Sequence, residues 1–407
     1  MLTLAGATLI DGTGRDPVAG AHVVIDGARI QDRAPSGRIL DLTGLTLLPG
    51  LIDAHVHLFG AGHSLGDVTA GEVSAAEVAA GMFHAAGRAL QSGFTTLRDC
   101  GGADGGLVRA IGAGLVPGPR VLVAGPILAQ TGGHGHFGPT FGGGDSWAVP
   151  GLGRLSHICD GPDEVRRAAG TAFRSGADFL KMCVTGGVVS HSDSLTDTQF
   201  TSDEIRAAVG EADARGTYVT VHAHNSAGVR VAVEAGARCV EHGSDLDEET
   251  CALMARHGAV LVPTLTAARR LTEDAAKVGV GTDIAPRADG VEASMARALR
   301  TAVAAGVPVG SGSDLFGGGS WSHGRELALK ADLIGPMAAI TSATSVNARI
   351  LGLDGRLGTV RPGATADLIA VDGDPLTDPG LFDDPARVVL VVKDGRVVKD
   401  TRRLLTP

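Results

Sequence analysis

Between residues 48 and 315 the chain alternates short apolar runs with stretches of helical periodicity, and it does so eight times. The runs are LPGLIDAHVHL, FTTLRDC, RVLVAGPIL, ADFLKMCV, YVTVHAHN, RCVEHGSD, AVLVPTL and VPVGSGSDL. Near-continuous apolar strands suit a parallel sheet whose outer face is covered by helices. Eight of them with helical segments between predict an α/β fold, a (β/α)8 TIM barrel. Ser74 with Glu77, and Thr201 with Glu204, each fit an S/T-x-x-E capping box and mark two of the helix starts.

The two ends read differently. HVVIDGARI carries Asp26-Gly27 between β-branched arms, and VVLVVKDGRVVKD repeats the device at Asp394-Gly395, a strong hairpin signal in both places. Strand-rich ends around a long middle predict a small β-sandwich built from both termini. The expected divisions are 1–49 and 348–407 for the sandwich and 50–347 for the barrel. The net charge of −10 argues against a nucleic-acid partner and against docking on an anionic membrane. No apolar run approaches the roughly 20 residues needed to span a bilayer, and the opening residues lack the pattern of a signal peptide. Cys100, Cys159, Cys183, Cys239 and Cys251 are odd in number and scattered. Reduced thiols and a cytoplasmic location are therefore expected.

Positions two apart in a strand share a face, so His55 and His57 point the same way at the end of the first run. Alone, such a pair reads as well as two solvated strand-end histidines. The other runs supply companions: Lys181 in the fourth, His222 and His224 in the fifth, His242 in the sixth and Asp314 in the eighth. All are flanked by apolar residues or glycine and are expected to face the barrel mouth, where this architecture places active sites. Several desolvated imidazoles with a carboxylate are satisfied together by a divalent cation. Lys181 either snorkels to water or reacts with CO₂ to form a carbamate, an anion able to bridge two metals. Glycine-rich stretches at 130–147 and 315–324 follow the third and eighth runs. They are either plain loops or close-approach loops at the same mouth.

The motifs PGLIDAHVH, GFTTLRD, VHAH, VEHG and GSD, with the strand-4 lysine, resemble the amidohydrolase superfamily in its binuclear-metal branch with a carboxylated lysine. The segment SATSVNARILGLDGRLGTVRPGATADLIAVDGDPL fits the return into the small domain, so the resemblance covers essentially the whole chain. Within the superfamily the chain looks most like the group of Xaa-Pro and Xaa-Arg/Lys dipeptidases and ochratoxin amidases. The resemblance implies a hydrolase that cleaves the amide bond of dipeptides or N-acyl amino acids. It implies two divalent metal ions, zinc being expected for imidazole-rich donors while manganese or cobalt could also serve. His55, His57, Lys181 and Asp314 would hold one ion, and Lys181 as carbamate would bridge to a second held by His222 and His242. A metal-bridging hydroxide would attack, with Asp314 as proton shuttle.

Some members carry a tyrosine two residues after the fifth-strand ligand; here that place is His224. His224 and His136 are therefore the expected oxyanion or substrate contacts. Arg98, His134 and Arg325 are candidate clamps for a substrate carboxylate, and each also reads as structural, Arg98 by pairing with its neighbour Asp99. A cyclic-amide hydrolase of the imidazolone or lactam type uses the same chemistry. A mononuclear deaminase of this fold would lack the lysine and place a glutamate soon after the fifth-strand histidine, whereas His222 is followed by Ala223, His224 and Asn225. A non-catalytic assembly protein should have lost ligands, and none is missing. Relatives often assemble, so a homo-oligomer is expected.

Overall fold

The two ends of the chain share one sheet. The computed structural model describes residues 1–64, 67–68, 72–137, 148–190, 192–273, 285–317 and 322–405. Parts of both glycine-rich stretches, 138–147 and 318–321, lie outside the described residues. Strands Leu2–Leu9, Val18–Asp26, Arg29–Gln31, Arg38–Asp41 and Thr46–Pro49 join Leu368–Val371, Val388–Lys393 and Arg396–Asp400. The seam is antiparallel, with Leu368 opposite Pro49 and Val371 opposite Thr46. Both Asp-Gly pairs turn hairpins, closing Asp26 onto Arg29 and Lys393 onto Arg396. The hairpin tips touch: Gly395 has φ 75° and a side chain there would collide with the Gly27 carbonyl, so only glycine fits. The hydrogen bonds join all eight strands in one branched sheet. Leu2–Leu9 offers its first half to Arg38–Asp41 and its second half to Thr46–Pro49, while its remaining edge pairs with Val18–Asp26.

The central runs follow in parallel order. Leu51–Val56 pairs with Phe94–Asp99, which pairs with Arg120–Val123. Ile127–Ala129, Leu180–Cys183, Val219–Asn225, Cys239–Asp245 and Val260–Val262 are successive neighbours in a second sheet. The third expected run is therefore two strands, broken where Gly125 adopts φ 68° ahead of Pro126. Ser156–Ile158, not expected as a strand, pairs parallel with Ile127–Ala129. The eighth run also departs from expectation: residues 307–315 form isolated bridges and no regular ladder. Pro308 has no N–H to give, and Asp314 sits at φ 50°. Single bonds replace the ladder. Leu261 N–H donates to Pro308 O and Gly310 N–H to Leu261 O on one side. Ala54 N–H to Ser311 O (2.8 Å) and Asp314 N–H to His55 O (2.7 Å) tie the segment back to the first strand. A Cβ at Gly312 would overlap His55, so this approach requires glycine.

Helices Ala75–Gln91, Pro162–Arg174 and Ser202–Asp213 bury small apolar faces that include Ala86, Ala89, Ala168, Ala172 and Ala208. Both expected capping boxes form, Ser74 with Glu77 and Thr201 with Glu204. Among the described residues no helix is long and apolar enough to cross a membrane.

Asn347 is the internal rivet of the first and eighth runs. Its side chain donates to Ile52 O (2.7 Å) and Ser311 O (2.8 Å) and accepts from Ser311 N–H (3.0 Å), all fully buried. Asn347→Ala would orphan three backbone groups, at about 1–3 kcal/mol for a buried group left unpaired. We expect a loss of about 3 kcal/mol in unfolding free energy by urea titration. A loss under about 1 kcal/mol would show that the two runs hold together without it.

Candidate active site

The expected ligands do converge. His55 and His57 leave the end of Leu51–Val56 with their Nε2 atoms 3.4 Å apart. Asp314 Oδ1 lies 3.4 Å from each of those nitrogens. Tautomers follow from what each Nδ1 faces. His55 Nδ1 is 2.7 Å from a Glu241 carboxylate oxygen, and His57 Nδ1 is 3.1 Å from the Gly101 carbonyl. Both partners only accept, so both Nδ1 atoms carry the proton. Two Nε2 atoms and an Asp314 carboxyl oxygen thus point at one another, a donor set that one divalent cation would satisfy.

A second cluster adjoins the first. His222 and His242 have ring centroids 4.5 Å apart, and the His55 and His242 rings are 5.1 Å apart. Lys181, on Leu180–Cys183, lines the same pocket; it is 2% exposed and, among the described residues, its Nζ has no hydrogen-bond partner. Burial, with the Lys181 charge adding to it, holds His57 down to about 4. Burial likewise keeps His55, His222 and His242 well below the ordinary imidazole value. These rings are therefore neutral and free to ligate. Burial pushes Asp314 up to about 8 against the pull of Lys181. Unfavourable backbone marks the same place, with φ 70° at His242 and φ 50° at Asp314. The donor set and the orphaned Lys181 amine both fit a site for divalent cations.

Two neutral imidazoles complete the floor. His224 Nδ1 is 2.9 Å from Ser244 Oγ, and burial followed by the neighbouring His134 holds it down to about 3. His134 stacks on His222 at 4.1 Å. Its Nδ1 meets Ser190 Oγ at 2.9 Å, and Ser190 donates onward to Asp193 at 2.5 Å. Arg287 grips this loop through the carbonyls of Ser190, Gly187 and Asp193. Above the floor is a pocket of about 100 Å³ with apolar walls that include Phe59, Phe137, Val188, Leu271, Met295 and Phe316.

A model of the amidohydrolase family matches residues 46–398. The chain belongs to the amidohydrolase family. It is 32% identical over 370 residues to the ochratoxinase of Aspergillus niger, covering 87% of this chain and 75% of that protein. The structure of a prolidase complexed with N-methylphosphonate-L-proline superimposes with a TM-score of 0.91 at 36% identity, covering 98% of this chain and 99% of the other. A Xaa-Pro dipeptidase with methionine bound in its active site gives 0.86 at 33% identity, again covering 98% and 99%. The protein is thus a hydrolase acting on amide or peptide bonds, of a family that is generally metal-dependent. The family and these neighbours imply a TIM barrel carrying an additional domain.

Within this amidohydrolase, three expected substrate contacts sit elsewhere. Arg98 is fully buried behind His55, where it pairs with Glu241 at 2.5 Å and cannot reach the pocket. It does not pair with Asp99, which instead accepts from Leu58 N–H and Gly101 N–H. Arg325 pairs with Asp383 at 3.0 Å and lines a neighbouring cavity of about 510 Å³. His136 accepts the Gly132 N–H at 3.0 Å inside its own turn and lines neither cavity. The loop histidine that does line the pocket is His134. Residues missed from sequence are Glu241 and Asp53. Asp53 accepts from the N–H groups of His55 (3.1 Å) and Ser313 (3.0 Å), and from the side chains of Ser313 (2.5 Å) and His323 (2.8 Å). It fastens the strand that carries His55 to the segment that carries Asp314. A charge in the middle of an apolar run was the signal that could have found both carboxylates.

Proposed function

We propose that this protein hydrolyses dipeptides or N-acyl amino acids with apolar side chains at a two-metal site. His55, His57 and Asp314 would hold one divalent cation, His222 and His242 the other, and Lys181, carboxylated by CO₂, would serve both. The observation that carries the reading is the convergence of three acceptors, His55 Nε2, His57 Nε2 and Asp314 Oδ1, beside the unpartnered Lys181 amine. When bound, the cations supply a water acidified toward neutral pH and a polarised carbonyl. The chain's own residues do the rest. Asp314 takes the proton of the attacking water and returns it to the leaving nitrogen. His224, whose Nδ1 lies 2.9 Å from Ser244 Oγ, would present Nε2–H to the developing oxyanion in its Nε2-protonated tautomer. The walls would exclude bulk water and receive an apolar side chain; the relatives named above include a prolidase and an ochratoxinase. In the same reading residues 50–347 form a closed (β/α)8 barrel, with 1–49 and 348–407 as the second domain.

The test is amino-acid release from a panel of dipeptides and N-acyl amino acids. The protein would be stripped with chelator, then reloaded with Zn²⁺, Mn²⁺ or Co²⁺ in bicarbonate. Activity is expected to vanish on stripping, return on loading, and favour Leu, Met, Phe or Pro over Asp and Lys. Release from no member would defeat the dipeptidase reading and move the search to cyclic amides. Activity that survives stripping would defeat the metal assignment.

A further inference from the structure

Behind the ligand cluster lies a second layer that the reaction itself does not use. Glu241 is fully buried and both its oxygens are committed. Oε2 faces His55 Nδ1 at 2.7 Å, while Oε1 accepts from Arg98 Nη2 at 2.5 Å and from the Thr220 hydroxyl. Cys239 Sγ adds a weaker contact at 3.3 Å. Arg98 is fixed in turn: its Nε donates to Ala54 O, its Nη1 lies 3.4 Å from the Tyr218 hydroxyl, and its guanidinium stands 5.4 Å from the Phe179 ring centre. Neighbours in a regular strand point to opposite faces. Here φ 70° at His242 breaks the alternation, so Glu241 bonds His55 while the adjacent His242 ring also packs against it at 5.1 Å.

We propose that Glu241, held by Arg98, is a positioning residue that locks His55 in the Nδ1–H tautomer and aims its Nε2 at the metal. This rests on the metal-site reading above. An imidazole with a free Nδ1 could rotate or protonate Nε2 and so leave the ligand set. The carboxylate removes both options, because it binds only the N–H form and binds it in one ring orientation. Arg98 holds the carboxylate in place, donating from Nη2 to Oε1 at 2.5 Å. Thr220 and the Ala54 carbonyl spread that constraint over the first, second, fifth and sixth strands, so the ligand geometry is set by the body of the barrel and not by the pocket loops.

The experiment measures metal binding, not turnover. Chelator-stripped wild type and Glu241→Gln are titrated with Zn²⁺ against a chromophoric competitor, and the visible spectra of their Co²⁺ forms are compared. Losing an outer partner of a metal-bound histidine typically costs about 10–100-fold in affinity. We expect a weakening in that range for Glu241→Gln, with an altered Co²⁺ spectrum and an unchanged far-ultraviolet circular dichroism signal. Glu241→Gln leaves the Arg98 charge alone in the core. If that variant does not fold, the Arg98→Met/Glu241→Gln double variant, which leaves no orphan charge, is read in its place. Affinity within twofold of wild type and an unshifted Co²⁺ spectrum in the variant that folds would overturn the assignment. Failure of the wild type itself to bind Zn²⁺ would instead overturn the metal-site reading on which it rests.

Discussion

Lys181→Met is expected to remove essentially all turnover while leaving the metal-free fold at least as stable as that of the metal-free wild type. The two effects have one cause. The Lys181 amine is buried among the imidazoles with no hydrogen-bond partner, and an unpaired ionised group in a protein interior costs several kcal/mol. Methionine fills nearly the same volume without that cost. A lysine kept for packing would therefore be replaceable by methionine with activity intact. A lysine kept for chemistry would not, because only an amine can combine with CO₂, losing a proton and becoming an anion that suits two cations. The loss should exceed the roughly 10–100-fold cost of an outer partner of a metal ligand, reaching on the order of 10³-fold, with bound metal by elemental analysis falling to one ion per chain or none. A companion readout uses the unaltered protein: stripped enzyme reloaded in CO₂-free buffer should regain activity more slowly than in bicarbonate. Wild-type turnover in Lys181→Met would sink the assignment of this side chain.

How far the sequence could be read depended on whether a residue's role was carried by its own strand or by a distant one. His55 and His57 were legible because side chains two apart in a strand must share a face, and their Nε2 atoms do meet. Lys181, His222, His242 and Asp314 were legible because parallel strands end on one side, so residues at run ends come together whatever the loops do. The Arg98–Glu241 pair was not read. Its members lie 143 positions apart, and Arg98 beside Asp99 offered a local partner that the structure declines. Yet each was a charge inside an apolar run, and two such charges of opposite sign need each other. His134, a candidate clamp from the sequence, does line the pocket; that His136 does not was out of reach, since Gly132 and Gly135 both adopt positive φ and redirect the loop. The eighth run looked like a strand by composition, but Pro308, the close contact at Gly312 and the left-handed Asp314 replace its ladder with single bonds.

Asp314 sits in the left-handed region, at φ 50°. Asp314→Asn keeps the shape of the side chain, and asparagine adopts positive φ about as readily as aspartate, so the backbone of the eighth run gains no new strain. What it loses is the negative charge of the ligand and, with it, the ability to take up and release a proton. General acid–base groups contribute typically about 10²–10⁴-fold. We expect kcat to fall within that range while KM for the best panel substrate changes little, because the apolar walls that bind the side chain are untouched. Stability of the metal-free protein should move the other way. Burial pushes the Asp314 carboxyl up to about 8, so its ionised form is disfavoured in the fold relative to the unfolded chain, whose carboxyl has the ordinary value. The carboxylate therefore weakens the metal-free fold as pH rises from the ordinary carboxylate range toward 8, and an amide removes that penalty. Metal-free Asp314→Asn should accordingly melt at or above the wild-type temperature at pH 7, and the gap should close as the pH falls toward 4. A lower melting temperature at pH 7, or a kcat within threefold of wild type with metal loaded, would remove Asp314 from the role of proton carrier and leave it as a ligand alone.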